Sequence, residues 1–294
     1  MSDLLAEIHK LDTEVPLYFR GEQRCEWKPI PSVFRQGLAD VEDKMLIDLI
    51  ARRPEEMGGA GTALEQLLLA QHYKLSTRLL DVTRNPLVAL FFACEEAVEH
   101  DDHDGRLHAF AVPESLIKTF DSDTISIIAN FVKLPIMDKR WLLSRERLHP
   151  QRPFSAYYNY SAIMARLYQK IRGEKPQFDE RIDMKDLYGV FVVEPQQKDE
   201  RIRAQSSAVL LSAFQEHFDH QEGTEWNGGV RPYRHYTLSI PSDSKESILN
   251  DLRLMGVTRQ SIFPGLESSA TEVMRRYKRP PGQEATPSGE AGTQ

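Results

Sequence analysis

The chain contains only two cysteines, Cys25 and Cys94, with no C-x-x-C pair and no regular spacing. That excludes a disulfide framework and a cysteine-based zinc site, and it suits a reducing cytosol. Long apolar runs are lacking as well. The longest, Leu87 to Cys94, falls far short of the about 20 residues needed to cross a bilayer, so membrane insertion is not expected. Positive charge is not in excess: the formal net charge of -7 argues against coating nucleic acid through bulk electrostatics, while leaving open a local basic groove. There is no Walker loop, G-x-S-x-G or G-x-G-x-x-G, which argues against an ATPase, an α/β-hydrolase or a Rossmann enzyme. The opening residues, MSDLLAEIHKLDTEVP, read as a short acidic helix rather than a signal peptide, and the expected location is cytoplasmic.

What is present is ordinary globular material. The 294 residues are 40% hydrophobic and 28% charged, enough for one large domain or two modest ones. We read residues 1–278 as a single globular unit and 279–294 (PPGQEATPSGEAGTQ after Arg279) as a disordered tail without large apolar side chains. The charged stretch Arg172–Arg181 is a second candidate boundary. Leu17–Phe19 reads as a short strand stopping at Gly21. Thr62 and Glu65 form a T-x-x-E capping box before a helix with Leu64, Leu67, Leu68 and Gln71 on one face. Asn85-Pro86 starts another helix, with Asn as N-cap and Pro at the first turn, and its first two turns are apolar all round and therefore buried. Strands are expected at Arg106–Val112, Tyr188–Val193 and Arg234–Ile240. A last helix opens with an Asp243–Glu246 capping box and closes at Gly256. Helices mixed irregularly with short strands predict an α+β fold with a small split sheet.

Two constellations carry chemistry. In Phe19-Arg20-Gly21, an arginine at a strand end precedes a glycine that lets another backbone or a ligand come close. The planar guanidinium can hold two phosphate oxygens, or it can bridge to an internal carboxylate. In Gln71–Pro86, polar side chains crowd between two apolar helices, where each buried polar group needs a partner. Arg78 and Asp81 could satisfy one another, and Thr83 or Asn85 could cap the next helix. That explains less well why Gln71, His72, Tyr73, Thr77 and Arg78 all gather there.

These residues carry a resemblance. F-R-G, then Trp27 and Pro31 in W-x-x-x-P, Arg35, and QHYxLxTRLLDxTxNPLxALFFA resemble the FRG domain, and Ile248–Leu266 is similar to its closing helix and loop. The likeness extends to about residue 275. One departure concerns the late Arg-Ile-x-x-Gln-Gln-Gly-x-Phe string: Arg201 and Gln205 match it, but the second Gln, the Gly and the Phe are replaced. The family name supplies no reaction, but the order of motifs is similar to that of ADP-ribosyltransferase-like folds. That resemblance implies NAD as substrate, with no metal. It places Arg20, Gly21, Gln71, Arg78 and Asp81 against the dinucleotide, and Arg20, His72, Tyr73, Thr77 and Gln205 as the catalytic set. Gln205 would stand where a carboxylate usually stabilises the oxocarbenium character that develops as nicotinamide leaves, with Glu267 as a substitute. The implied role is an NAD-consuming effector in a bacterial toxin or antiphage system, with a protein or nucleic-acid acceptor or a neutralising partner.

Two rival readings stay open. A non-catalytic module could bind a phosphorylated ligand or nucleic acid through a pocket of Arg20, Arg24, Arg35, Arg78, Arg84 and Arg201, or the motif could serve packing alone. The pairs His100/His103 and His217/His220 lie in charged stretches with no third ligand, so a metal is not expected. Tyr157, Tyr158 and Tyr160 could stack bases, although aromatics beside Ile163, Met164 and Leu167 are more often core.

Overall fold

The computed structural model describes residues 2–11, 14–59, 61–95, 103–148, 162–179, 182–196, 204–219, 233–265 and 273. Its elements follow in chain order as α1 (Ser2–His9), β1 (Leu17–Glu22), α2 (Ser32–Arg35), α3 (Glu42–Arg52), α4 (Pro54–Gly58), α5 (Ala63–His72), β2 (Leu80–Thr83), α6 (Pro86–Cys94) and β3 (Gly105–Ala111). Then come β4 (Ile117–Thr119), α7 (Asp123–Phe131), α8 (Ile136–Leu148), α9 (Ala162–Arg172), α10 (Met184–Tyr188), β5 (Phe191–Glu194), β6 (Ser207–Leu211), β7 (Arg234–Ile240), α11 (Lys245–Leu254) and α12 (Arg259–Ile262). Among the described residues no helix is long and apolar enough to cross a membrane. The tail, Tyr157–Tyr160, Arg201, Glu267 and one histidine of each pair (His100, His220) lie outside the described residues.

The α+β class is as read from the sequence. The strands form one open seven-stranded sheet in the order β4-β5-β6-β2-β1-β3-β7, larger than the small split sheet expected. Only β4 and β5 run parallel. The sheet is larger because β2, β4 and β6 give no strand signal of their own: LDVT, IKT and SAVLL are too short for alternation to register. β1 also runs on through Gly21 to Glu22, since its partner β3 matches it residue for residue from Leu17↔Ala111 to Glu22↔Arg106. Tyr188 ends α10 rather than opening a strand, and β5 begins at Phe191.

Alternation assigns each strand residue to a face. One face carries Phe19, Leu107 and Ala109 beneath α6 and α11, and Val193, Val209 and Leu211 beneath α5, α7 and α9. The opposite face carries Tyr18, Leu80, Val82, Phe110, Val192 and Leu210, covered by Phe218 and Tyr233. α6 lies directly on β1. A Cβ added to Gly21 would come within 1.9 Å of the Ala89 carbonyl oxygen and 2.7 Å of the Ala93 nitrogen. Gly105 meets Ala93 in the same way, at 2.8 Å.

Local signals held where the deciding contacts are local. Thr62 and Glu65 form the expected capping box on α5, and the Asn85 side chain accepts from the Leu87 N–H at the start of α6. The expected box at Asp243–Glu246 does not form. A 3-10 turn at Ser242–Ser244 occupies that position, and the Ser244 hydroxyl donates to Asp243 instead. Gly256 takes the left-handed conformation at φ 78° that closes α11.

Candidate functional site

The polar segment after α5 divides into two environments. A cleft of about 610 Å³ runs between α5 and the β2–β6 edge of the helical face. Gln71, His72, Tyr73 and Lys74 line it from the end of α5, Asp81 from β2, and Gln205, Ser207 and Val209 from the start of β6. The antiparallel pairing sets Asp81 opposite Val209 and Thr83 opposite Ser207, bringing the late Gln205 segment beside the early motif. Phe120, Pro195 and Gln196 border the cleft as well, and Thr62 and Glu65 line it at the far end of α5.

A directed hydrogen-bond chain fixes the cleft's carboxylate. The buried Thr77 hydroxyl accepts from the Leu79 N–H and donates to Gln71 Oε1 at 2.6 Å. The amide is thereby oriented, and its Nε2 donates to Asp81 Oδ1 at 2.8 Å. Gln205 is held by its Nε2 on the Ile262 carbonyl at 3.2 Å and by the Ser207 hydroxyl on its Oε1 at 3.3 Å. Its own carbonyl accepts from Thr83 Oγ1 at 2.6 Å. His72 and Tyr73 are exposed at the rim and meet edge to face at 5.2 Å. Thr77 acts through Gln71 and is not among the residues that line the cleft.

Arg78 lies elsewhere. It is buried between the rings of Phe34 and Phe131, and its guanidinium grips both carboxylate oxygens of Glu42. Its remaining donors go to the carbonyls of Ser212 and Ala213. Lys139 completes the network, donating to Glu42 at 2.6 Å and to the Val132 carbonyl at 2.7 Å, and burial pulls its ammonium pKa down. The anticipated Arg78–Asp81 pair therefore does not form: Arg78 turns inward to Glu42, while Asp81 turns to Gln71.

Arg20 shares the face of Tyr18 and His108, away from the cleft. It is bound to Glu22 at 2.6 Å and to the Asp81 carbonyl at 2.8 Å, so the internal-carboxylate alternative is the one observed. β1 and β2 pair only at Phe19↔Thr83, and Arg20 supplies a partner for the carbonyl that the ladder leaves. Gly21 gives close approach to a backbone, and that backbone is α6.

Arg84 is likewise engaged, with Glu194 and the Tyr18 hydroxyl, and burial pushes the Tyr18 phenol up to about 12. Next to Arg20, His108 is held at about 3 by burial first and then by His235, Arg20 and Arg106. Its Nδ1 lies 3.0 Å from His235 Nε2. Sequence reading missed this histidine pair, since nothing local marks two strand positions that meet only through the β3–β7 register. Among the described residues no group of three or more His, Cys, Asp and Glu could hold a metal ion.

No curated protein and no solved structure matches the chain. Residues 15–102 match the FRG domain family, a span that holds Arg20, Gly21, the Gln71–Asp81 cluster and α6, and leaves Gln205 outside. With the F-R-G strand pinned under α6 and the Gln71–Asp81 segment forming a cleft wall, this match places an FRG domain at residues 15–102 of the chain.

Proposed function

We propose that this FRG-domain protein consumes NAD in the α5–β2–β6 cleft by cleaving the bond between nicotinamide and ribose. The observation that carries the reading is the Asp81 carboxylate on the cleft wall, oriented through Gln71 and Thr77. When the bond breaks, the electron pair leaves with the pyridine nitrogen and positive charge develops on the ribose. A fixed anion beside that carbon stabilises it without reorganising at the moment of reaction. The resemblance leads one to seek that carboxylate at Gln205, whose amide is neutral and already committed to Ile262 and Ser207. In this proposal Asp81 takes the role from the neighbouring strand.

Water entering at the ribose carbon yields ADP-ribose, nicotinamide and a proton; a protein or nucleic-acid nucleophile would give transfer instead. Tyr73, 66% exposed and touching only His72 among the rings of the described residues, offers a stacking surface for a base. Arg20 is a positioning residue for β2, and Arg78 belongs to the core. Draining NAD suits a toxin or an antiphage effector. The arginine-pocket alternative has less support, because Arg20, Arg78 and Arg84 are each engaged by a different protein carboxylate.

The test is nicotinamide release from NAD by the purified chain, followed chromatographically with and without cell extract. Asp81→Asn should lower the rate about 10²- to 10³-fold, with thermal unfolding near that of the wild type. Release unchanged in Asp81→Asn, or none from folded wild-type protein, would sink the proposal.

A further inference from the structure

Among the described residues three helices end on a residue in the left-handed conformation immediately after the C-cap, and they differ in what stands there. After Gln36 in α2 it is Gly37 at φ 68°, and after Met255 in α11 it is Gly256 at φ 78°. Glycine is the ordinary choice, since it alone escapes the Cβ penalty of this conformation. After Tyr73 in α5 it is Lys74 at φ 65°. The cap geometry is the same: Lys74 N–H donates to the Gln71 carbonyl at 2.9 Å, and Leu75 N–H to that of Ala70 at 2.9 Å. Nothing in the backbone there calls for a lysine.

Among the described residues just one other non-glycine has a positive φ, Ser206 at 46°. Ser206 lies between Gln205 and Ser207, which line the same cleft as Lys74. Both strained L-residues thus flank one cavity, while the left-handed positions at Gly37 and Gly256 went to glycine. Strain kept at a cavity and relieved elsewhere indicates a side chain selected for the ligand rather than for the fold.

We infer that Lys74 holds the anionic part of the cleft's ligand, which on the NAD reading above is the pyrophosphate. Among the described residues its ammonium has no ion-pair partner and no other Lys or Arg lines the cleft. Glu65, the nearest carboxylate along α5, sits roughly 13 Å away at 1.5 Å per residue. Its Oε2 is occupied by the N–H groups of Gly61 and Thr62, so it leaves the Lys74 end open to an anion. Lys74 at one end and Asp81 on the wall give the cleft a polarity: phosphate at the α5 terminus, cationic nicotinamide riboside toward the carboxylate.

The experiment is calorimetric titration of the full chain with ADP-ribose and with inorganic pyrophosphate, alongside thermal unfolding. Lys74→Gly should raise Tm by about 2–4 °C as the strain is released. It should also weaken ADP-ribose by about tenfold or more through loss of a charge-assisted contact. Lys74→Gln should lose affinity likewise, and Lys74→Arg should keep it within a few-fold. ADP-ribose binding that is absent in the wild type, or equal in wild type and Lys74→Gln, would overturn the assignment. If NAD is not cleaved but ADP-ribose binding still depends on Lys74, the cleavage reading fails and the Lys74 assignment stands. If nicotinamide release persists undiminished in Lys74→Gly, the reverse holds.

Discussion

Arg78 and Asp81 stand within one short polar segment, yet they belong to different regions of the molecule. Arg78 is buried in a network with Glu42 and Lys139 that ties the start of β2 to α3, α8 and the end of β6. Asp81 lies exposed on a cleft wall, where it accepts from Gln71 Nε2. The difference teaches that a run of polar residues can serve two purposes at once. Where every donor meets a protein acceptor in a closed interior, the group specifies the fold. Where one side of the group still faces a cavity, it is available to a ligand.

The contrast can be broken by mutation, and the largest effect should come from the buried side. Arg78→Met leaves Glu42 with Lys139 alone and strips the buried Ser212 and Ala213 carbonyls of their donor, at a cost of about 3–5 kcal/mol in a urea titration. Adding Glu42→Gln to that variant should deepen the loss, since it takes the carboxylate from the buried Lys139 ammonium. A loss under about 1 kcal/mol for the single change would show that the network does not hold the fold. Gly21→Ala should follow closely, at about 3 kcal/mol, because the new methyl meets the Ala89 carbonyl of α6 and the helix must move. Retained stability in that variant would show α6 to be more loosely seated than the 1.9 Å approach implies.

A third effect separates the faces by pH. His108 titrates at about 3 in the folded chain against an ordinary 6.5, so the unfolded state binds the extra proton between those values. Stability should be full above pH 6.5 and fall as pH drops toward 3. His108→Gln should flatten that part of the urea-midpoint profile, and an unchanged slope would assign the acid sensitivity to other groups. The smallest effect belongs to the cleft rim. Tyr73→Ala should shift stability by less than about 0.5 kcal/mol while weakening any ring-bearing ligand, since the ring is mostly in solvent. A larger stability loss would move Tyr73 from the site to the fold.

Parts of this were legible in the sequence. The Thr62–Glu65 box, the Asn85-Pro86 start, the closing Gly256 and the burial of α6 depend on residues a few positions apart, and each is found. Of the expected gathering of Gln71, His72, Tyr73, Thr77 and Arg78, the first three line the cleft, while Thr77 and Arg78 are buried outside it. Less legible were β2 and β6, too short for alternation to declare them, and with them the placing of Gln205 next to Asp81 through the β2–β6 ladder. Lys74 carried no signal at all, since φ is not written in a residue's identity.

By itself, then, the sequence determined the helix ends at Thr62, Asn85 and Gly256, the buried apolar faces, the α+β class and the FRG resemblance. All of these rest on local spacing and short-range sterics. Only the tertiary structure decided the face on which each polar side chain would lie: Arg20 with Tyr18, Arg78 with Glu42, Asp81 with Gln71. The physical reason is that a charged group is settled by whichever partner the packed chain brings within reach. That choice depends on strand register and helix docking across the whole sheet, beyond the reach of any short pattern.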